Sequence, residues 1–221
     1  MSQIKSAGIQ KNQFQQTKII LFDFDGTLAD SILNQLEIYN FLAKKYGGTI
    51  IRQDEISKLR DYSVRQLINR MKIPWWRLPQ LLSEARELLK TKPIPPIVAD
   101  IDKVIMNLYQ HNYQLGIVTS NSGEYVQEFL NQHKLLSYFS FISSEPDLFK
   151  KNEKLIKLVK QNNWLKSEVV YIGDEVRDAQ AAKKAGVCFV GVSWGLNSFK
   201  TLLQTSAVKV VKQPIELNKL F

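Results

Sequence analysis

Short apolar runs alternate along the chain with longer stretches in which apolar residues recur every three or four positions. Lys18-Ile19-Ile20-Leu21-Phe22-Asp23 is such a run, ending at an acid, as a strand buried on both faces does. Runs of similar length recur at Tyr113 to Thr119, Phe139 to Ser143, Val169 to Asp174 and Val187 to Ser193, with β-branched or aromatic content. Helical spacing covers Ile97 to Gln110, Ser122 to His133, Asn152 to Asn162 and Glu175 to Ala185 between them. Strand alternating with helix predicts an α/β fold built on a parallel sheet with helices on both faces.

Residues 31–92 break the alternation, offering helical patterns with no strand, and form a segment the size of a small helical bundle. The pattern therefore predicts three parts. Residues 1–17 form a polar N-terminal tail, 18–30 and 93–221 an α/β core, and 31–92 an inserted all-α cap. Punctuation inside the cap is readable: Gly47-Gly48 stops its first helix, Ser63 with Gln66 resembles a capping box, and Pro74 and Pro79 mark a break. Pro93, Pro95 and Pro96 mark the return to the sheet.

Composition changes this picture little. Of 221 residues, 44% are hydrophobic and 23% charged, enough for a sizeable core and unlike a disordered chain. The single cysteine, Cys188, lies in a strand pattern and cannot form an internal disulfide. No apolar stretch approaches the ~20 residues that a membrane-spanning helix needs, and the start has no apolar signal core, so a soluble cytoplasmic protein is expected. The net charge of +9 favours anionic partners, and the cap holds +6 of it, from twelve lysines and arginines against six acids.

The chemistry sits where buried strands end in polar residues: Asp23, Thr119 and Asp174. In parallel sheets ligands bind at the carboxyl ends of strands. Asp23-Phe24-Asp25-Gly26-Thr27 sets two carboxylates two residues apart on a turn tightened by Gly26, and Gly173-Asp174-Glu175-Val176-Arg177-Asp178 places two more one helical turn apart. Four acids converging in an otherwise basic chain call for a hard cation between them, and their oxygen ligands suit magnesium.

Asp23-Phe24-Asp25-Gly26-Thr27-Leu28, the strand ending in Thr119-Ser120-Asn121, a lysine near a helix start, and Gly173 to Asp178 resemble the four ordered motifs of the haloacid dehalogenase superfamily. The likeness covers 18–221, and the helical insert between the first two motifs is similar to the phosphoglycolate phosphatase and β-phosphoglucomutase branch, with a Rossmann-like core and a small cap. It implies a Mg2+-dependent phosphatase acting on a small anionic phosphorylated metabolite. Asp23 would be the nucleophile, forming an aspartyl-phosphate, and Asp25 the acid and later the base. Magnesium would be held by Asp23, Asp174 and the carbonyl of Asp25, with Asp178 as a further or outer ligand. Thr119 and the Ser120 amide would bind phosphoryl oxygens, with Phe24 and Asn121 beside them. Lys151 would neutralise their charge, although Lys150 occupies the place where the family often has glycine. Arg60, in a loop between cap helices, would read a second anionic group of the substrate.

Other readings of the same residues are a sugar phosphomutase using the same acid pair, or a binding module for nucleic acid or phosphorylated partners that rests on charge alone. No RNA-binding aromatic signature accompanies the charge, membrane binding is not indicated, and the sequence assigns no oligomeric state. A calcium loop starting at Asp23 fails because its twelfth position is Asn34 rather than glutamate. His111 and His133 lack acids or cysteines at ligand spacing and receive no role. Trp75-Trp76 is expected to pack within the cap, and Trp194-Gly195 to be structural.

Overall fold

The computed structural model describes residues 14–62, 64–70, 74–144 and 150–221, so the expectations placed on residues 1–13 and on Ser63 lie outside the described residues. Among these residues, strands β1 (Ile19–Phe22), β2 (Gln114–Thr119), β3 (Phe141–Ser144), β4 (Val169–Gly173), β5 (Cys188–Val192) and β6 (Lys209–Val211) form one sheet in the order β3-β2-β1-β4-β5-β6. Every pairing is parallel. The helices are α1 (Ile32–Tyr46), α2 (Ile56–Leu59), α3 (Val64–Arg70), α4 (Leu78–Lys90), α5 (Ile101–Gln110), α6 (Gly123–Gln132), α7 (Lys151–Gln161), α8 (Val176–Ala185) and α9 (Phe199–Leu203).

All four residues of β1 are buried, because helices cover both faces of the sheet and β1 has a neighbour on each side. On one face, Ile101, Val104, Ile105 and Leu108 of α5 and Val126, Phe129 and Leu130 of α6 pack over Ile20, Phe22 and Ile117. On the other, Leu155 of α7 and Ala179, Ala182 and Ala185 of α8 pack over Leu21, Val118, Tyr171 and Phe189. The spacing at 101, 104, 105 and 108 is the helical stripe read from sequence. Its helix starts at Ile101 rather than Ile97, because Asp100 takes a left-handed conformation at φ 65° and interrupts the path.

Strands β1, β2 and β4 are aligned so that Phe22, the last residue of β1, is in register with both Ile117 and Ile172. Asp23 and Asp174, each one residue past its strand, and Thr119, the last residue of β2, therefore emerge side by side at the carboxyl edge. This register is what assembles a site from residues 151 positions apart.

Helices α1 to α4 fill the insert between β1 and β2. Ile38, Leu42 and Ala43 of α1 and Leu81 of α4 make a small core of their own. Gly47 ends α1 in the left-handed conformation at φ 72°, its N–H bonding the Ala43 carbonyl. Pro79 does not break a helix as the sequence suggests. It occupies the first turn of α4, where a missing N–H has no intrahelical partner to lose. Trp76 is 65% exposed rather than buried in the cap, and the Trp75 side chain lies outside the described residues. Phe14, which the sequence reading places in the polar tail, is buried edge-to-face against Phe221, with ring centres 5.3 Å apart. Strand β6, with only three residues, had no readable run.

Candidate active site

The turn after β1 carries the first two acids. Gly26 takes φ 71°, a conformation open to glycine, and lets Thr27, Leu28 and Ala29 all send their N–H groups to the Phe24 carbonyl. Asp23 is turned inward and almost wholly buried, while Asp25 remains half-open and accepts a hydrogen bond from Asn121 Nδ2 at 3.2 Å. The Phe24 ring lies edge-on to Phe129 in the core, 4.9 Å between centres, so only its main chain faces the site.

Across from Asp23 stands Lys151, at the first position of α7 and only 5% exposed. Its Nζ lies 2.9 Å from Asp23 Oδ1 and 2.7 Å from Asp178 Oδ1. Lys150 caps the same helix on the exposed side, so of the two adjacent lysines it is Lys151 that reaches the acids. Thr119 is buried beside them, its hydroxyl accepting the N–H of Asn121 at 2.9 Å, and Ser120 is half-buried at the same rim.

Asp174 is held from three sides. Thr27 Oγ1 donates to its Oδ1 at 3.2 Å, the Leu196 N–H donates to its Oδ2 at 2.6 Å, and the Asn197 N–H donates to its carbonyl at 3.2 Å. The loop that supplies these amides is fixed in turn: Trp194 Nε1 donates to the Thr27 carbonyl, which gives Trp194 the structural task expected of it. Gly195 leaves room for the carboxylate, because a Cβ there would lie 2.3 Å from Asp174 Oδ2 and 2.4 Å from the Gly26 carbonyl. Gly195→Ala is therefore expected to cost ~1 to 3 kcal/mol of stability and to displace Asp174. An unchanged urea unfolding midpoint would contradict that.

Asp23, Asp174 and Glu175 each bring a carboxylate oxygen within 4.8 Å of the others. Asp178, read from the sequence as a further or outer ligand, stands outside this group of three and turns both its oxygens to protein groups. Its Oδ1 faces Lys151 and the Tyr171 hydroxyl at 3.4 Å, and its Oδ2 accepts the N–H of Glu175 at 3.1 Å. Asp178 thus anchors the lysine and the start of α8, and Glu175, unread in the sequence, stands in the acidic cluster. Its carboxylate is gripped by the Arg177 fork, with Nε and Nη2 each 2.6 Å away. That an extended Glu175 directly follows the strand-end acid is the signal that could have found it.

Burial pushes the Asp23 carboxyl up to about 7, against the pull of Lys151. Burial, then the nearby Glu175, Asp178 and Asp23, raises Asp174 well above the usual carboxylate range. For Lys151, burial works against the charge, but Asp178 and Asp23 outweigh it and hold the ammonium above its ordinary value. Carboxylates this destabilised by their own neighbours fit a hard divalent cation, whose charge and oxygen preference would offset both causes.

Arg60 turns its guanidinium to main-chain carbonyls and does not line the cavity beside the acids. Its Nη2 donates to the carbonyls of Ser193 and Gly195, and its own carbonyl accepts from Asn197 Nδ2 at 2.9 Å and the Ser198 N–H at 2.9 Å. Asp61 adds bonds from Ser198 and Thr201. The arginine pins the cap to the loop that also holds Asp174, a place that α2 and α9 create together and that no local pattern encodes.

Comparison with known proteins agrees with the motif order. Residues 20–192 match the model of the haloacid dehalogenase-like hydrolases, and the chain belongs to that family. It is 31% identical over 199 residues to a phosphoglycolate phosphatase of Synechococcus elongatus, covering 90% of this chain and 94% of that one. A phosphoglycolate phosphatase of Vibrio parahaemolyticus is 26% identical, over 83% and 86% of the two chains. Among solved structures, a predicted phosphatase from Clostridium acetobutylicum shares the fold with a TM-score of 0.80 at 21% identity, covering 92% of this chain and 97% of that one. Among the described residues, no helix is long and apolar enough to cross a membrane.

Proposed function

We propose that this hydrolase is a Mg2+-dependent phosphatase that cleaves the monoester of a small phosphorylated metabolite by way of an aspartyl-phosphate on Asp23. The observation that carries the reading is the buried ammonium of Lys151, 2.9 Å from Asp23 Oδ1, beside a cluster of acids. The names of the relatives support it and make 2-phosphoglycolate the first substrate to try. Magnesium would be held by Asp23, Asp174, Glu175 and the carbonyl of Asp25. When bound it supplies positive charge to the phosphoryl oxygens and to the acids around them.

The residues divide the remaining work. A carboxylate oxygen of Asp23 attacks phosphorus while the bond to the leaving oxygen breaks, and Asp25 gives that oxygen a proton. Asp25, now a carboxylate, takes a proton from water. The water oxygen attacks phosphorus, frees Asp23 and releases phosphate. Thr119, the Ser120 amide and Lys151 hold the phosphoryl oxygens, with Asn121 fixing Asp25 through its 3.2 Å hydrogen bond. The test is phosphate release from a panel of phosphorylated metabolites with Mg2+, beside Asp23→Asn. Isomerised sugar phosphate without free phosphate would mark a mutase, and no turnover of any member would overturn the proposal.

Metal loading has a pH signature. An acid raised in the folded state binds more protons than its unfolded counterpart, so between about pH 4 and 7 Asp23 makes the metal-free protein less stable as pH rises. Magnesium must displace that proton. Its stabilisation should therefore be small at pH 5.5 and grow through pH 7 towards ~2.7 kcal/mol at a hundredfold excess over its dissociation constant. Thermal unfolding with and without Mg2+ at each pH measures this, and an increment that ignores pH would remove Asp23 from the metal site.

A further inference from the structure

Between the acids and the cap lies a cavity of about 300 Å³, at the lower end of volumes that hold small ligands. One end is polar, formed by Asp25, Ser120 and Asn121. The rest is mostly aliphatic, with Gln35, Tyr39 and Arg86 of the cap and Glu175 and Arg177 of the core also lining it. Ile32 and Leu36 of α1, Leu67 and Ile68 of α3, and Leu82 and Leu89 of α4 all face it, and all six are only half-buried. They continue the cap core, since Ile38, Leu42 and Leu81 of that core line the same cavity.

A small carboxylated leaving group finds little here. Two arginines touch the cavity: Arg86 is exposed, and Arg177 spends Nε and Nη2 on Glu175, which leaves only its buried Nη1 without a hydrogen-bond partner. Arg60, which could have supplied a cation, is committed to Ser193 and Gly195. An acid placed among the aliphatic side chains would lose its hydration without a partner, whereas an apolar group would cover surface that is otherwise wet.

We infer that the cavity receives an apolar leaving group, so that the preferred substrate is the phosphate monoester of a hydrophobic alcohol rather than of a carboxylated one. The inference rests on the phosphatase reading, because the polar end must hold the phosphoryl group for the other end to meet the alcohol. It does not depend on which oxygen ligands hold the metal.

The test is a chain-length series of ethyl, butyl and hexyl phosphate beside 2-phosphoglycolate, with Mg2+ present. Each fully buried methylene is worth about fourfold in kcat/KM, or ~0.8 kcal/mol. With partial burial in an open cavity, hexyl phosphate should exceed ethyl phosphate by at least tenfold and should also exceed 2-phosphoglycolate. Leu36→Gln and Leu82→Gln should each reduce the hexyl-to-ethyl ratio by threefold or more. The ratio is taken within one sample, so incomplete folding of a variant cancels. Measurable hydrolysis with a flat ratio, or with 2-phosphoglycolate ahead of hexyl phosphate, would overturn the inference and leave the phosphatase standing. If no ester is hydrolysed, the phosphatase reading falls, and thermal unfolding separates the two claims. Greater protection by hexyl than by ethyl phosphate would support the apolar site, and equal protection would overturn it too.

Discussion

Asp23→Asn is expected to lower turnover by on the order of 10⁴-fold or more while leaving the protein folded. The amide has nearly the shape of the carboxylate but offers a poor nucleophile. Stability should survive, because Asp23 is a group whose charge burial already opposes, and Lys151 keeps its contact with Asp178 at 2.7 Å. Two readouts separate the chemistry from the fold. The urea midpoint of metal-free protein at pH 7.5 should stay near wild type, and the Mg2+-induced rise in thermal stability should shrink because one carboxylate of the cluster is gone. Asp25→Asn should behave differently. It should also be slow, yet with an aryl phosphate, whose leaving oxygen needs little protonation, it should give a burst of phenol and a trapped phosphoenzyme. Wild-type hydrolysis by Asp23→Asn would end the nucleophile assignment.

The acids that matter most were legible because a buried strand has no reason to end in a charge unless something uses it. Asp23 and Asp174 stood out on that ground, and the parallel register brought them together. Lys151 was placed through the motif pattern, and the structure supplies the physical reason: the first turn of α7 points it between Asp23 and Asp178. What stayed hidden depends on directions rather than spacing. Asp178 is one helical turn from Asp174, which fits an outer ligand equally well as an anchor for the lysine. Only the geometry of the strand-to-helix turn decides that its oxygens face Lys151 and the Glu175 N–H. Arg60 misled because loop arginines in a basic cap suggest anion recognition, yet its partners are main-chain carbonyls 133 and 135 residues away. The cavity wall is drawn from helices that are each ordinary amphipaths, and their half-buried faces acquire meaning only when three of them surround the same space.

Lys151→Met is expected to destabilise the metal-free protein by ~3 to 5 kcal/mol at pH 7.5, the usual cost of removing one partner from a buried ion pair. Methionine keeps the apolar stem, so the loss isolates the ammonium. Without it, Asp178 retains the Tyr171 hydroxyl at 3.4 Å and the Glu175 N–H, but it faces Asp23 across a buried gap with no positive charge between them. The sign with pH follows. In wild type the raised lysine contributes stability throughout the range below its unfolded value near 10.4, losing it only as pH climbs through the still higher folded value. The variant loses that contribution at both pH values and leaves Asp23 pushed further up, so its deficit should already be present at pH 5, where Asp23 is protonated, and should widen towards pH 7.5. Saturating Mg2+ should restore part of the stability, since a cation returns to the acids, but not the catalysis. The phosphoryl oxygens would still lack a donor, and kcat/KM should fall by ~10² to 10³-fold. Urea unfolding at the two pH values, with and without Mg2+, reads the first claim and phosphate release reads the second. A wild-type midpoint at pH 7.5 would show that the buried acids do not need this lysine, and wild-type hydrolysis would remove it from the site.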